Sequence, residues 1–282
     1  MKKLTIKNNV KIINEESVIK KERKDLINTY KYLLSRSFDY FPKVLKQENS
    51  EYYYKFLKDI EEPREEKILD LMNLLSLLHS KTTFFKEVDI DYYKEIYEKT
   101  LNQIEDVYSY YNDLFNIINS VVYMSPSNYL IIRNISIIFN SLEYAKKFIN
   151  IWYKQVENNR KIRMVTIHNN LSLEHYIKED KPYLISWSNS KIDMPLYDII
   201  SVYKKHYLEF NFEEILPTYF DKYPYTTEEM LLFLVLISIP DKIEYQKVEY
   251  NTVINIRNII DYIYKSSQIV NKYGLKEENI EK

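Results

Sequence analysis

Apolar residues along this chain change their spacing near residue 60. Before that point they alternate or cluster as β-branched residues, the pattern of half-buried strands. Leu4–Ile6, Val10–Ile13 and Ser17–Lys20 read as three strands. Leu26, Tyr30 and Leu33 give helical spacing to Asp25–Ser35. Lys43–Gln47 and Tyr52–Leu57 read as two more strands, split by a polar turn at Glu48–Ser50. From Pro63, placed at a first helical position, apolar residues run on to Leu78. Two long helices follow. Tyr93, Tyr97, Thr100, Ile104, Val107, Tyr111, Leu114, Ile118 and Val121 step by alternating fours and threes. After Ser125-Pro126, an N-cap and first-turn proline, the stride repeats through Ile131, Ile135, Ile138, Leu142, Ala145, Ile149, Trp152 and Val156. Each stretch would span about 45 Å as a helix, and the two predict a helical hairpin along a near-heptad seam.

Between Lys161 and Ile185 the period shortens again. Met164–Ile167, Tyr176–Ile177 and Tyr183–Ile185 are predicted strands, the last two joined by a Lys178–Pro182 turn. Helices resume after Pro195, with a capping box at Thr226 and Glu229 and a last amphipathic helix over Asn251–Val270. The closing EENIEK is expected to fray. The outline is an α+β chain: a small β-rich part over residues 1–60, then a larger helical part over 61–282 with a β-loop at 164–199.

Composition narrows the chemistry. The 282 residues include one glycine and no cysteine, 45% hydrophobic and 29% charged residues, and a net charge of -1. Ordinary usage would supply roughly twenty glycines. Phosphate loops and dinucleotide fingerprints need glycine where backbone approaches phosphate, and the one glycine, Gly274, lies in the tail. Absent cysteine excludes disulfides, thiolate metal sites and thiol nucleophiles. Near-zero charge leaves no field for nucleic acid, and the longest apolar run, Met230–Ile239, is too short for a bilayer. No nucleic-acid or membrane partner is expected, and without a signal segment the expected location is cytoplasmic. Alanine occurs once and lysine far outnumbers arginine, so residues with GC-rich codons are depleted together, as in an AT-rich genome. Codon bias explains scarce glycine in general. It does not explain its loss where only glycine fits.

The informative segments are Thr166-Ile-His-Asn-Asn-Leu-Ser-Leu-Glu-His-Tyr-Ile and Tyr183-Leu-Ile-Ser-Trp-Ser-Asn-Ser-Lys-Ile-Asp-Met-Pro-Leu-Tyr-Asp-Ile. Their frame resembles the catalytic core of the aminoglycoside phosphotransferase and choline kinase family. That core carries His-Gly-Asp, four residues, then Asn or His, a hairpin, Ile-Asp-Phe/Trp and a Pro-x-Tyr-Asp helix start. His168, Asn170, His175, Trp187, Pro195, Tyr197 and Asp198 fall in register. Ser76-Leu-Leu-His79, Val18-Ile-Lys20 and Pro42-Lys-Val-Leu resemble further family elements. The resemblance implies a protein-kinase-like, two-lobed fold with a small antiparallel β N-lobe and a mostly helical C-lobe. It also puts spore-coat kinase-like proteins among the possible relatives.

The departures fall on the reacting groups. The resemblance implies one Asp that deprotonates the acceptor hydroxyl and another that holds Mg²⁺. These positions are Asn170 and Ser186. An amide takes up no proton near neutral pH, and a neutral hydroxyl is a poor anchor for a hard cation. Lys20 matches the phosphate-contacting lysine, yet Asp25–Ser35 offers no Glu to pair with it, and Lys7–Val10 lacks glycine. His168 is expected to brace the loop and His175 to be a hydrogen-bonded loop residue. Asp198 is expected to cap its helix, Asn189 and Asp193 to sit in turns, and His79 and His206 to lie at helix ends in surface or capping roles. The reading is a pseudokinase that binds a small molecule or a protein, with no cofactor. One alternative is an active ATP- and Mg²⁺-dependent hydroxyl phosphotransferase in which Asn189 or Asp193 replaces Ser186 at the metal. Another is a helical-hairpin interaction protein unrelated to kinases.

Overall fold

A computed structural model gives the structure of the chain and describes residues 4–7, 10–13, 17–22, 24–48 and 51–274, with side chains described from residue 17. Asn8 and Asn9 of the glycine-less loop, Asn49 and Ser50 of the predicted turn, and the final EENIEK lie outside the described residues. The described Cα positions group into two compact units. One comprises residues 1–85, 163–202 and 215–223, the other 86–162, 203–214 and 224–282.

The first unit carries a five-stranded antiparallel sheet. Strands β1 (Leu4–Lys7), β2 (Val10–Ile13), β3 (Ser17–Lys21), β4 (Val44–Glu48) and β5 (Glu51–Lys55) lie in the order β1-β2-β3-β5-β4. The tyrosine run of β5 takes an inner place: Tyr52 and Tyr54 are buried and Tyr53 between them is half-buried, the period of two that a strand imposes. At the edge, β4 presents Lys46, Gln47 and Glu48, and its register slips between Val44 and Lys46. A polar, irregular edge discourages pairing with another chain. Helix α1 (Ile27–Ser35) sits between β3 and β4 in sequence and buries Tyr30 and Leu33. Helix α2 (Arg64–Thr82) begins one residue after Pro63, so the proline precedes the helix and does not open it.

Two strands that the apolar pattern did not predict complete a second sheet. They are β6 (Phe84–Glu87) and β10 (Lys191–Asp193), in the order β10-β7-β6 with β7 (Lys161–Ile167). Both are short, and no residue of either is buried, so neither carries the inward apolar set that marks a strand in sequence. The expected hairpin is present as β8 (Tyr176–Lys178) and β9 (Pro182–Leu184).

The second unit contains the predicted helical hairpin. Helices α3 (Tyr92–Asn119) and α4 (Pro126–Val156) bury most of the four-three stride: Tyr93, Ile104, Val107, Tyr111 and Leu114 on one, Ile131, Ile138, Leu142, Ala145 and Trp152 on the other. Rings interdigitate along the seam, with Tyr97 stacked on Tyr153 at 4.5 Å and Tyr93 edge-on to Trp152 at 6.0 Å. Ser125 caps α4 by accepting from the Asn128 N–H. Helix α5 (Leu196–His206) and helix α6 (Phe212–Phe220) each have one end in this unit. Helix α7 (Thr227–Ile237) buries residues all round, as an apolar helix inside a core does. Helix α8 (Glu249–Tyr273) closes the described chain. His206, expected at the surface, is only 3% exposed, with Nδ1 3.2 Å from the Glu209 carboxylate.

The architecture is therefore α+β, small antiparallel sheets with a mostly helical remainder. The five-stranded sheet before residue 60 gives no support to the alternative of a helical-hairpin interaction protein unrelated to kinases.

Both halves of the capping box are formed, Glu229 N to Thr226 Oγ1 at 3.3 Å and Thr226 N to Glu229 Oε2 at 3.0 Å. Thr226→Ala is expected to lower the unfolding free energy by about 1 kcal/mol in urea titration, with an unchanged m-value.

Candidate functional site

Every residue of the site belongs to the first unit. The site is built from β3, the residues after β5, and the loop from β7 through the β8–β9 hairpin to α5.

One carboxylate holds that loop. Asp198 lies in the first turn of α5 and is fully buried. Its Oδ2 accepts the His168 backbone N–H and its Oδ1 that of Asn169, both at 2.8 Å. His79 Nε2 is 3.3 Å from Oδ2, and His79 Nδ1 is 2.6 Å from the Tyr219 hydroxyl. Asp198 thus does not cap its helix but clamps the loop across 30 residues. His79 is fully buried against it, not at a surface. Burial by itself raises the Asp198 carboxyl. The hydrogen bond and charge of His79, with the charge and N–H of His168, outweigh that and hold it below the usual carboxylate range.

The clamp keeps Asn169 at φ 58°, in the left-handed region. Asparagine tolerates that conformation better than most residues, so the missing glycine is replaced at small steric cost. Asn169 Nδ2 also donates to Asn189 O at 3.1 Å. His168, buried, places Nε2 2.8 Å from Ile185 O, which ties the loop to the strand segment after β9.

The remaining positions singled out in the sequence occupy different surroundings. His175 Nδ1 lies 2.6 Å from the backbone oxygen of Asn170 and 3.2 Å from Ser172 Oγ. Ser186 adopts φ 69°, also left-handed, and Trp187 after it is fully buried with Nε1 donating to Leu184 O at 2.7 Å. Ser186 Oγ accepts from Lys20 Nζ at 3.3 Å, joining β3 to the loop. Asn189 ends a short 3-10 turn at Trp187–Asn189. Asp193 is the last residue of β10, not a turn residue; its Oδ2 pairs with Lys191 Nζ at 2.6 Å, and its Oδ1 accepts from Met194 N.

Sequence reasoning missed Glu22. No glutamate on α1 reaches Lys20, but Glu22, in the connection before α1, does. It is 6% exposed, with Oε1 3.3 Å from Lys20 Nζ. The same oxygen accepts from Tyr54 OH at 3.0 Å, and Oε2 accepts from Ser188 Oγ. Burial, then Tyr30 and Glu22, push the Tyr54 hydroxyl far up, so it remains a donor. The missed signal was a glutamate two residues beyond the strand lysine, hidden in the charged run Lys20–Lys24.

Lys20, Glu22 and Ser186 line one cavity of about 490 Å³. Val18, Pro42, Phe56 and Leu57 supply apolar wall from the sheet side, Ile177 and Ile185 from the loop side, with Tyr30, Tyr54, Lys55 and Glu174 completing it. That volume lies within the range of small-molecule sites. Asn170, His175, Asn189 and Asp193 do not line it. Among the described residues, no three His, Asp or Glu side chains gather as a metal site would need, and no helix is long and apolar enough to cross a membrane.

No protein-family model matches the chain, and no curated protein matches it in sequence. Solved structures do match. An aminoglycoside phosphotransferase from Alicyclobacillus acidocaldarius superposes with a TM-score of 0.74 at 6% identity, covering 99% of this chain and 92% of that one. A glucosamine kinase gives 0.56 at 8% identity, covering 96% and 77%. An AMP-bound spectinomycin phosphotransferase gives 0.54 at 11% identity, covering 92% and 90%. The chain has the protein-kinase-like fold of the aminoglycoside phosphotransferase type, as the loop motif implied.

Removing the clamp tests it. Asp198→Ala strands the buried His168 N–H and the part-buried Asn169 N–H and is expected to cost about 3 kcal/mol in denaturant unfolding. The native Asp198 pKa lies below the unfolded value near 3.9. Its stabilisation is therefore complete above about pH 4 and lost as pH falls through the native value. In Asp198→Asn that part of the acid-side slope should disappear.

Proposed function

We propose that this chain is a pseudokinase: it keeps a phosphotransferase-type fold, binds a small molecule or protein partner, and does not transfer phosphate. The observation that carries the reading is the hydrogen bond from Lys20 to Ser186. At the position where the motif resemblance implies a metal-holding aspartate stands a neutral hydroxyl, and that hydroxyl accepts from an ammonium. A divalent cation there would sit beside a positive charge with no carboxylate of its own. At the other position Asn170 has no basic group for an acceptor proton. General-base assistance alone contributes about 10²–10⁴ in rate.

The residues present do not fit Mg²⁺ with ATP. Asp193 is paired with Lys191, and neither it nor Asn189 lines the cavity, so the alternative of relocated metal ligands gains no support. Glu22 shares Lys20 with Ser186, but its carboxylate is engaged by Lys20, Tyr54 and Ser188. ATP and Mg²⁺ belong only to that alternative. The solved structures that share the fold include aminoglycoside and spectinomycin phosphotransferases and a glucosamine kinase, which makes hydroxylated amines the acceptors to test.

Incubation with ATP, Mg²⁺ and a panel of aminoglycosides, spectinomycin and glucosamine should give product no faster than a protein-free control. A phosphorylated acceptor that accumulates in proportion to protein would overturn the proposal.

A further inference from the structure

The second unit carries an exposed apolar surface that the cleft does not use, and we propose that it joins two copies of this chain in a symmetric dimer. The proposal is independent of whether the cleft transfers phosphate.

The surface is built on the turn between α3 and α4. From Leu114 to Ile132 the sequence carries no charged residue, in a chain that is 29% charged. Ile117, Val121, Val122 and Met124 are exposed there, Val122 by 87%. The segment that leads into α8 lies against this turn. Tyr245 Oη donates to Asn128 Oδ1 at 3.2 Å, and Glu249 Oε1 accepts the Ser127 N–H at 2.8 Å. That segment adds exposed Tyr245, Val248 and Tyr250 to the exposed Tyr123 and Tyr129 of the turn. The Tyr110 hydroxyl donates to Ile243 O at 2.8 Å and the Tyr111 hydroxyl to Asp241 O at 2.7 Å, which anchors the connection after α7 to α3. The patch is held in place before a partner arrives, so little ordering entropy opposes association.

Size and chemistry select the occupant. The four tyrosines are 50–91% exposed; at about 150–250 Å² for a whole aromatic side chain they present about 400–700 Å². The five aliphatic residues raise that to the roughly 800 Å² per partner that a stable dimer buries. A monomer rarely exposes so much in one patch. Tyrosine and methionine are enriched in interface centres, and lysine and acidic residues are depleted. A membrane-surface segment would carry lysine or arginine to hold anionic headgroups. None stands between Leu114 and Ile132, and Lys247 nearby is offset by Glu244. A two-fold contact sets each residue near the axis against its own copy. Like charges repel there, whereas valine and tyrosine pack. An uncharged patch offers a different protein no charge pattern to read, and it gives a second copy nothing to repel.

Sedimentation equilibrium of the 282-residue chain tests this. At about 100 µM the wild type is expected at twice the chain mass, dissociating on dilution. Val122→Asp combined with Tyr123→Asp sets like charges across the axis and should weaken the dimer at least tenfold. Both side chains are exposed, so the thermal melt should stay with that of the wild type. Tyr250→Ser, on the other segment, should weaken the dimer several-fold. Phe85→Asp, at an exposed apolar residue of the first unit, should leave the mass unchanged. A wild-type monomer at the same concentration overturns the proposal. So does a dimer that the double variant leaves intact or that Phe85→Asp dissolves equally. A monomer that binds phosphatidylcholine or phosphatidylglycerol vesicles through this patch makes a membrane the occupant and overturns the proposal too.

Discussion

The buried carboxylate of Asp198 is the interaction on which the rest of the site depends. A fully buried charge is tolerated only where hydrogen bonds and opposite charge replace water. Asp198 meets that condition with the N–H groups of His168 and Asn169 and the ring of His79. Those same bonds dictate the path of the loop, including the left-handed turn at Asn169. The loop keeps its shape for a reason that has nothing to do with proton transfer. The frame of the loop is thus set by Asp198 and its partners, whatever residues stand at positions 170 and 186.

A second constraint joins the loop to the sheet. Lys20 on β3 reaches Ser186 and Glu22, and Glu22 reaches Tyr54 on β5 and Ser188 in the loop. Further bonds run alongside, from Lys24 to Ser190 O and from Leu184 N to Tyr40 O. Lys20 is one member of an internal network that ties the sheet to the loop.

Glycine shows how composition and conformation part company. The described left-handed residues are Ser37, Asn169 and Ser186, none of them glycine. Gly274 has an ordinary φ of -66° and is needed for room, since a Cβ there would lie 2.5 Å from Val270 O. Glycine is scarce along the whole chain; asparagine and serine take the left-handed positions at a modest energetic cost.

From the sequence alone came the elements whose cause is local. The four-three stride of α3 and α4, the caps at Ser125 and Thr226, the β8–β9 hairpin and the alternating tyrosines of β5 each follow from periodicity or backbone capping within a few residues. The motif from His168 to Asp198 carried the fold. What only the tertiary structure decided were pairings across many residues: Asp198 with His168 and Asn169, His79 with Tyr219, Glu22 with Lys20 and Ser188. A lone histidine has no period, so His79 looked like a helix-end residue until α2 was packed against α5 and α6. Glu22 sat unmarked in a charged run because its partners Tyr54 and Ser188 are 32 and 166 residues away. Local spacing specifies which segments form; which buried charges meet is settled when the segments pack, because burial makes an unpaired charge too costly to leave alone.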